Sequence, residues 1–323
     1  MEYFNVTEKE LYITICRKNP EALPVFAQCW WLDAVCVDKA DWNVALTMKG
    51  DVVTGVWPYM LSERLSISMM RNPRLTSYIG PHVFFPPDIK DSRRDSYEYD
   101  VMEQLLDALP DADVWRLSLT PGIKQAGLFR RAGLKIEVQQ TFLCSLEEDE
   151  EQIFHHFKEP LRRNIRAAEK DLTITEEPAA LEMLYEFQKA TLNEKRVAQP
   201  YTEAHVETLL TACIANNSGT IWVARQGRQI EAIIWNVWDA EKSYYFMGGK
   251  NPATDNYKAM SALLWHCIRQ AKARGNKYFD FEGSMDGGVE RFFRGFGAKR
   301  ELYLVLKRDG HWFWKLWRAV SLR

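Results

Sequence analysis

Two periodicities alternate along the chain. Apolar residues recur at intervals of three and four over Phe26 to Val37, Asp95 to Leu109, Asp149 to Lys170, Ala179 to Glu194, Glu203 to Ala215 and Tyr257 to Arg274. That spacing predicts helices with one buried face. Between them lie short runs of apolar and β-branched residues, read as strands. These are Trp42 to Thr47, Val52 to Tyr59, Val114 to Leu119, Ile136 to Leu143, Thr220 to Ala224, Glu231 to Trp238, Ser243 to Met247, Tyr278 to Phe281 and Leu302 to Leu306. Turn signals at Lys49-Gly50-Asp51 and Gln226-Gly227-Arg228 separate consecutive strands. The fold class is therefore α/β.

The order of elements repeats. A strand, a Gly50 turn and Asp51-Val-Val-Thr-Gly-Val-Trp57 in the first half match a strand, a Gly227 turn and Gln229-Ile-Glu-Ala-Ile-Ile-Trp235 in the second. Further on, Ala112-Asp-Val-Trp-Arg-Leu and Leu128-Phe-Arg-Arg-Ala-Gly-Leu-Lys135 match Lys277-Tyr-Phe-Asp-Phe and Phe292-Phe-Arg-Gly-Phe-Gly-Ala-Lys299. Each half reads hairpin, helix, strand, short helix ending at glycine, strand. The expectation is a duplicated α/β unit, each copy a mixed sheet flanked by helices. The boundary is placed at Leu146-Glu-Glu-Asp-Glu-Glu, whose acids suit the first turn of a helix. The expected domains are 1–146 and 147–309, followed by an aromatic, basic helix over 310–323.

Composition narrows the class. At 323 residues two domains are the default, and 46% hydrophobic with 27% charged residues is ordinary for a globular chain. A net charge of -2 leaves no global basic field for nucleic acid. The six cysteines form no CxxC pair and no zinc spacing, so no metal is expected. Their apolar surroundings suit reduced thiols and a cytoplasmic setting. The N-terminus lacks the pattern of a signal peptide, and no apolar stretch is long enough to span a bilayer.

Three passages carry a resemblance. They are Glu159-Pro-Leu-Arg-Arg-Asn-Ile-Arg-Ala-Ala-Glu-Lys170, then Tyr244-Tyr-Phe-Met-Gly-Gly-Lys250 with its following helix, and Tyr278-Phe-Asp-Phe-Glu-Gly-Ser284 running into Phe293-Arg-Gly-Phe-Gly-Ala298. Together they resemble the Fem-type branch of the GNAT (acyl-CoA N-acyltransferase-like) superfamily, which includes the peptidoglycan bridge aminoacyltransferases. In the first half Trp31-Leu-Asp-Ala-Val, Pro58 and Tyr78-Ile-Gly-Pro81 add to it. The resemblance spans nearly the whole chain and implies two tandem GNAT units. It implies transfer of an acyl group to an amine, from acyl-CoA or aminoacyl-tRNA as donor substrate, with no further cofactor. In the bridge enzymes the acceptor is a nucleotide- or lipid-linked cell-wall peptide.

Acyl transfer needs a neutral amine, donors for the developing oxyanion, and both reactants held together. The strand Ser243 to Gly249 matches the splayed GNAT strand that supplies backbone donors. Its Gly248 and Gly249 suit a bulge or a close approach to the donor, against the alternative of a plain turn. Acyl-CoA users follow this strand with a glycine-rich phosphate loop, and Lys250-Asn-Pro-Ala-Thr-Asp-Asn-Tyr-Lys258 departs from it. Lys250 and Lys258 are the candidates left for a donor phosphate, with a solvated loop as the alternative. Glu282 is the candidate base, with Asp280 on the same strand face and Asp286 second; a structural hydrogen bond or helix cap is the competing reading. Arg294 stands where the bridge enzymes place a lysine beside phenylalanine at the active site. Arginine cannot act as a base, so Arg294 is a catalytic candidate for holding the donor carbonyl or a phosphate, against the alternative of a surface residue on a short helix, and Phe293 beside it is a candidate substrate contact. Arg162, Arg163 and Arg166 fall along one helix side and are candidates for an acceptor phosphate or carboxylate or the tRNA backbone, against the alternative of a solvated face paired with Glu159 and Glu169. Tyr245, Trp31 and Tyr78 are candidate substrate contacts, with core packing as the alternative. The histidines form no triad, and His266 reads as core. The tail His311-Trp-Phe-Trp-Lys-Leu-Trp-Arg318 suits docking on the body, a homodimer contact or an anionic membrane surface.

The function expected is N-acyl or aminoacyl transfer to an amine, on a cell-envelope precursor or another small metabolite. The competing class is a degenerate, non-catalytic GNAT that only binds a ligand.

Overall fold

A computed structural model describes residues 7–36, 41–64, 66–254, 256–283 and 285–310. The segment His311–Arg323, assigned above to an aromatic basic helix, lies outside the described residues, as does Ser284. The chain divides into two compact units. Unit 1 comprises the described residues of Met1–Gln139 and Leu302–Arg323, and unit 2 comprises Gln140–Glu301.

Unit 1 opens with α1 (Glu8–Lys18), started by a capping box in which Thr7 and Glu10 satisfy each other's backbone N–H. Next come a 3₁₀ turn at Val25–Ala27, α2 (Cys29–Val35) and the hairpin β1 (Trp42–Lys49) and β2 (Val52–Arg64). β3 (Ile67–Arg71), β4 (His82–Val83), α3 (Asp91–Ala108), β5 (Val114–Ser118), α4 (Ala126–Arg131) and β6 (Lys135–Ser145) follow. The order β1-β2-β3-β5 has antiparallel neighbours except for β3 and β5, which run parallel from Met69↔Val114 to Arg71↔Arg116.

Unit 2 begins with α5 (Glu150–His155) and α6 (Glu159–Ala168). The single helix expected over Asp149 to Lys170 is thus two. Pro160 lacks an N–H and occupies the first turn of α6, so a new helix starts there. β7 (Thr173–Glu176), α7 (Leu181–Glu194), α8 (Glu203–Ala215), β8 (Gly219–Gln226), β9 (Gln229–Trp238) and β10 (Lys242–Lys250) come next. They are followed by α9 (Tyr257–Ala273), β11 (Tyr278–Asp280), α10 (Gly287–Phe293) and β12 (Lys299–Arg308). The strand order within the unit is β6-β11-β10-β9-β8-β7. Here β10 and β11 are the parallel neighbours.

The order of elements in unit 1 recurs in unit 2: hairpin, third strand, long helix, parallel strand, short helix, long strand. The short helices α4 and α10 are followed by left-handed Gly133 and Gly297. The division differs from the linear one expected at 146 and 309. It falls inside β6 and inside β12, because Val305–Arg308 pair antiparallel with Ser118–Trp115 of β5 in unit 1. The Arg116 guanidinium bonds the Asp309 carboxylate and donates to the Arg308 carbonyl at 3.0 Å, fixing that return.

The core of unit 2 is aromatic. Phe281 meets Phe293 at 4.8 Å and Phe296 at 5.3 Å between ring centres, while Phe157 meets Trp265 and Phe296 at 5.1 Å each. α9 contributes Leu263, Leu264, Cys267 and Ile268 to the same cluster. Such rings bury large areas, each worth about 2–3 kcal/mol of transfer free energy, and hold the ends of β10 and β11 in place.

Candidate active site

The parallel pairing of β10 and β11 is short. It runs through Lys242↔Tyr278, Ser243↔Phe279 and Tyr244↔Asp280 and stops there. β11 ends at Asp280, whereas β10 continues to Lys250 along β9. Beyond Tyr244 and Asp280 the two strands part. The β10–β9 register also shifts between Tyr245 and Met247, which places a bulge at Phe246. A bulge re-aims side chains and interrupts the ladder. The expected irregularity thus lies two residues before Gly248, and Gly248 and Gly249 pair regularly with Ile234 and Ile233.

The two glycines have a packing reason. A Cβ on Gly249 would lie 2.8 Å from the Phe187 carbonyl oxygen of α7, and one on Gly248 would lie 2.8 Å from the Tyr245 ring. The close approach is by α7 at Gly249 and, at Gly248, by the Ile233 carbonyl of β9 at 2.7 Å as well as by Tyr245. The Gly248 N–H donates to Gln188 Oε1 of α7 at 3.4 Å, a long bond that leaves this donor weakly engaged.

Facing β10, the chain after Asp280 turns back instead of extending. Glu282 has φ +56° and Gly283 φ +62°. Asp280 Oδ1 accepts the Glu282 N–H at 2.8 Å and the Thr141 hydroxyl. The shared strand face expected for Asp280 and Glu282 is therefore not formed, because a left-handed residue breaks the two-residue period. Asp280 is fully buried, and its Oδ2 has no hydrogen-bond partner among the described residues. Burial raises its carboxyl from 3.8 to about 6, against the lowering effects of Thr141 and the Lys242 charge. It supports the Glu282 turn from beneath. Gly283 is pressed onto Gln140 and Thr141 of β6, where a Cβ would overlap the Gln140 carbonyl oxygen.

Tyr245 joins the two sides. Burial first, then the neighbouring Cys267 thiol and the Glu282 carboxylate, push its phenol well above the ordinary value of 10. Its ring stands edge-on to Phe293 at 6.2 Å. Tyr244 points elsewhere, donating to Asp239 Oδ2 at 3.0 Å. The structure therefore brings Tyr245, Gly248, Glu282 and the supporting Asp280 into one neighbourhood. Phe293 is 3% exposed and is a wall of it rather than a ligand contact.

The remaining candidates stand apart in their local roles. Arg294 is half-exposed at the end of α10 and pairs with Glu290 at 3.5 Å, which also holds Arg300 at 2.6 Å. Asp286 caps α10, its Oδ1 accepting the Gly288 and Val289 N–H groups at 2.9 Å each, and these bonds lower its carboxyl. Lys250 is exposed at the end of β10, and Lys258 lies 5.7 Å from the Tyr257 ring. On α6, Arg163 is exposed and Arg166 lies over the Phe154 ring at 5.3 Å. Arg162 has a buried Nε with no hydrogen-bond partner among the described residues. His266 is a packing residue against Trp222 at 4.5 Å, its imidazole lowered to about 4 by burial and by Arg269 and Arg274.

Two further candidates are corrected. Trp31 is 0% exposed, donates its ring N–H to Thr76 Oγ1 at 3.0 Å and packs on Phe26. Tyr78 is 3% exposed between Phe26 and Tyr303. Neither ring has a face open for stacking on a ligand; both are core of unit 1. Gln188 and Thr141 went unnoticed in the sequence. A glutamine within an amphipathic helix and a threonine within a strand carry no local signal of these contacts.

The loop after β10 is held by its own bonds. Asn251 N–H donates to the Glu231 carbonyl at 2.8 Å, Ala253 N–H to Asn251 Oδ1 at 2.9 Å and Thr254 N–H to the Asn251 carbonyl at 3.3 Å. The Thr254 hydroxyl bonds the buried Glu231 carboxylate at 2.7 Å. No helix among the described residues is long and apolar enough to cross a membrane.

Residues 155–294 match the family described as "Acetyltransferase (GNAT) domain", which supports N-acyl transfer as the general class of activity. No curated protein matches the chain by sequence. Among solved structures, FemX superposes with a TM-score of 0.62 at 11% identity, covering 85% of this chain and 90% of FemX. The C-terminal domain of a putative lysylphosphatidylglycerol synthetase from Agrobacterium fabrum gives 0.54 at 12% identity, covering 94% and 93%. A tandem GNAT protein from the clavulanic acid biosynthesis pathway gives 0.51 at 8% identity, covering 83% of each chain. These likenesses show the fold, a Fem-type tandem GNAT arrangement.

Proposed function

We propose, from this Fem-type tandem GNAT fold, that the chain is an N-acyltransferase that moves an aminoacyl or acyl group onto a primary amine of a cell-envelope precursor, with the reaction centred where β10 and β11 part. The observation that carries this is the pairing that stops at Tyr244↔Asp280, with Tyr245 and Glu282 close enough to influence each other's charge. The Gly248 N–H would exchange Gln188 for the oxyanion of the tetrahedral intermediate, a fixed dipole aimed at developing charge. Glu282 accepts the proton lost by the attacking amine. Tyr245, kept protonated by burial, donates toward the departing oxygen or sulfur. We read the two units as copies of one ancestral unit.

Two donors fit the class, aminoacyl-tRNA and acyl-CoA. Three backbone N–H groups of the loop after β10 are engaged internally. A CoA pyrophosphate would need such donors at the start of α9. The stretch 250–258, which also lacks the glycines of a phosphate loop, favours an aminoacyl ester, with the α6 arginines available to its phosphates. The acceptor class is supported by the likeness of the fold to FemX and to the domain of a putative lysylphosphatidylglycerol synthetase.

The test is a product assay. The purified chain is incubated with charged tRNA or acyl-CoA and either a UDP-linked muropeptide or an aminolipid, and mass spectrometry reads the added acyl mass. Glu282→Gln is expected to lower turnover by about 10²–10⁴-fold while donor affinity stays within twofold or so. Full turnover in that variant removes Glu282 from the mechanism. Ligand binding without product from any pair would favour the non-catalytic reading.

A further inference from the structure

Unit 1 contains a cavity of about 280 Å³ that lies outside the segment matching the acetyltransferase domain. It sits where β3 and β5 part. The two strands pair up to Arg71↔Arg116, and the Asn72 side chain then bridges to the Ser118 backbone at 2.8 and 3.1 Å. From there the chain loops away and returns through Gly80–Val83. The cavity lies between that return, α3 and the Thr120–Ile123 loop.

Its walls are mainly apolar, with Ala27, Val83, Phe85, Met102, Pro121 and Ile123 among the lining. Gly80 sits close against Ile123 and Leu119, where a Cβ would approach to 3.1 and 3.4 Å. The carboxylate in this lining is Glu98 of α3. No described residue donates a hydrogen bond to it. Burial and the Asp95 charge one turn earlier raise its carboxyl, while Lys124 and Arg94 act in the opposite sense. Glu98 is half-buried, so its carboxylate stands partly in solvent at the edge of an apolar wall, where a ligand cation would be its complement.

We propose that this cavity binds a primary ammonium carried on a compact hydrocarbon, with the ammonium on Glu98 and the hydrocarbon between Met102, Phe85 and Ile123. A cavity of about 150 Å³ accommodates benzene, so this one takes a body of about six to ten heavy atoms. A neutral isostere would fill the same space and leave Glu98 without a donor. An anion would meet the Glu98 carboxylate, which is part of the lining, as a like charge.

The experiment is calorimetric titration of the full chain at neutral pH with 2-phenylethylammonium, 2-phenylethanol and 3-phenylpropanoate. The ammonium should bind at least tenfold more tightly than the alcohol, and the carboxylate should not bind. Glu98→Gln should bring the ammonium down to the affinity of the alcohol and leave the alcohol unchanged. Met102→Trp, which fills the cavity, should abolish both, with folding checked by circular dichroism and Val83→Phe as the replacement if it fails. The proposal is overturned if the wild-type chain binds none of the probes, binds alcohol and ammonium equally, or keeps its preference in Glu98→Gln. No readout depends on turnover, so this site and the acyl-transfer site can fail separately.

Discussion

Asp280 places a measurable pH dependence in the fold. Its carboxyl rises from 3.8 to about 6 on folding, chiefly through burial. Each unit of such a rise is about 1.4 kcal/mol, so the ionised side chain costs about 3 kcal/mol in the native state. The sign follows from proton counting. Between pH 4 and 6 the folded chain holds the proton that the unfolded chain has released. This contribution to stability is greatest below pH 4, falls as pH rises to about 6, and is constant above. Asp280→Asn keeps an oxygen for the Thr141 hydroxyl and the Glu282 N–H, and removes the titration. It also weakens two charge-assisted hydrogen bonds by about 1 kcal/mol each, so its net effect at neutral pH is small. The slope is the cleaner quantity. Urea unfolding of wild type and variant from pH 4 to 7.5 should give a difference that shifts by about 3 kcal/mol in favour of the variant as pH rises. A difference independent of pH, or one that shifts toward the wild type, would refute the account of Asp280.

Three further outcomes follow from neighbouring features. Gly283→Ala forces a Cβ onto the Gln140 carbonyl at a left-handed backbone, and should cost about 2 kcal/mol or more in thermal unfolding; a loss below half that would show that β6 yields. Arg225 holds Glu177 through two bonds of 2.9 and 2.6 Å and lowers that carboxyl from 4.5 to about 2. Because Glu177 is depressed, the stabilisation is present above pH 4.5 and lost as pH falls toward 2. Arg225→Gln should therefore cost about 1 kcal/mol at neutral pH, discounted for partial exposure, and almost nothing near pH 2. Tyr245→Phe should reduce turnover with little change in stability, since the phenol is assigned to the leaving group; an unchanged rate would remove that role.

The alternation of helices and strands was readable because each element carries a strong period and the turns are marked by glycine. The hairpins at Gly50 and Gly227 and the short helices ending at Gly133 and Gly297 are local in origin, and the structure forms them where the sequence places them. Pro160 is a local break within Asp149 to Lys170, and the Thr7–Glu10 capping box a local start. What escaped depends on partners distant in sequence. Glu282 reads as strand because Asp-Phe-Glu alternates, yet the Asp280 carboxylate bonds back to it and Gly283 is clamped by Gln140. The glycine pair in β10 signalled close approach correctly in kind, but the approaching groups belong to the chain itself, Ile233 of β9 and Tyr245 at Gly248 and Phe187 of α7 at Gly249. Trp31 bonds Thr76, and Tyr78 packs between Phe26 and Tyr303, partners distant along the chain, so a single sequence does not reveal their burial.

The central claim, that reaction occurs where β10 and β11 part, is tested most directly by amide NMR of the isotope-labelled chain with a stable amide analogue of an aminoacyl-adenosine 3′ end. The account predicts shifts at the Gly248 and Tyr245 backbone amides, and movement of the Gln188 side-chain amide as it yields the Gly248 N–H. Saturable binding that leaves all three unmoved would contradict it.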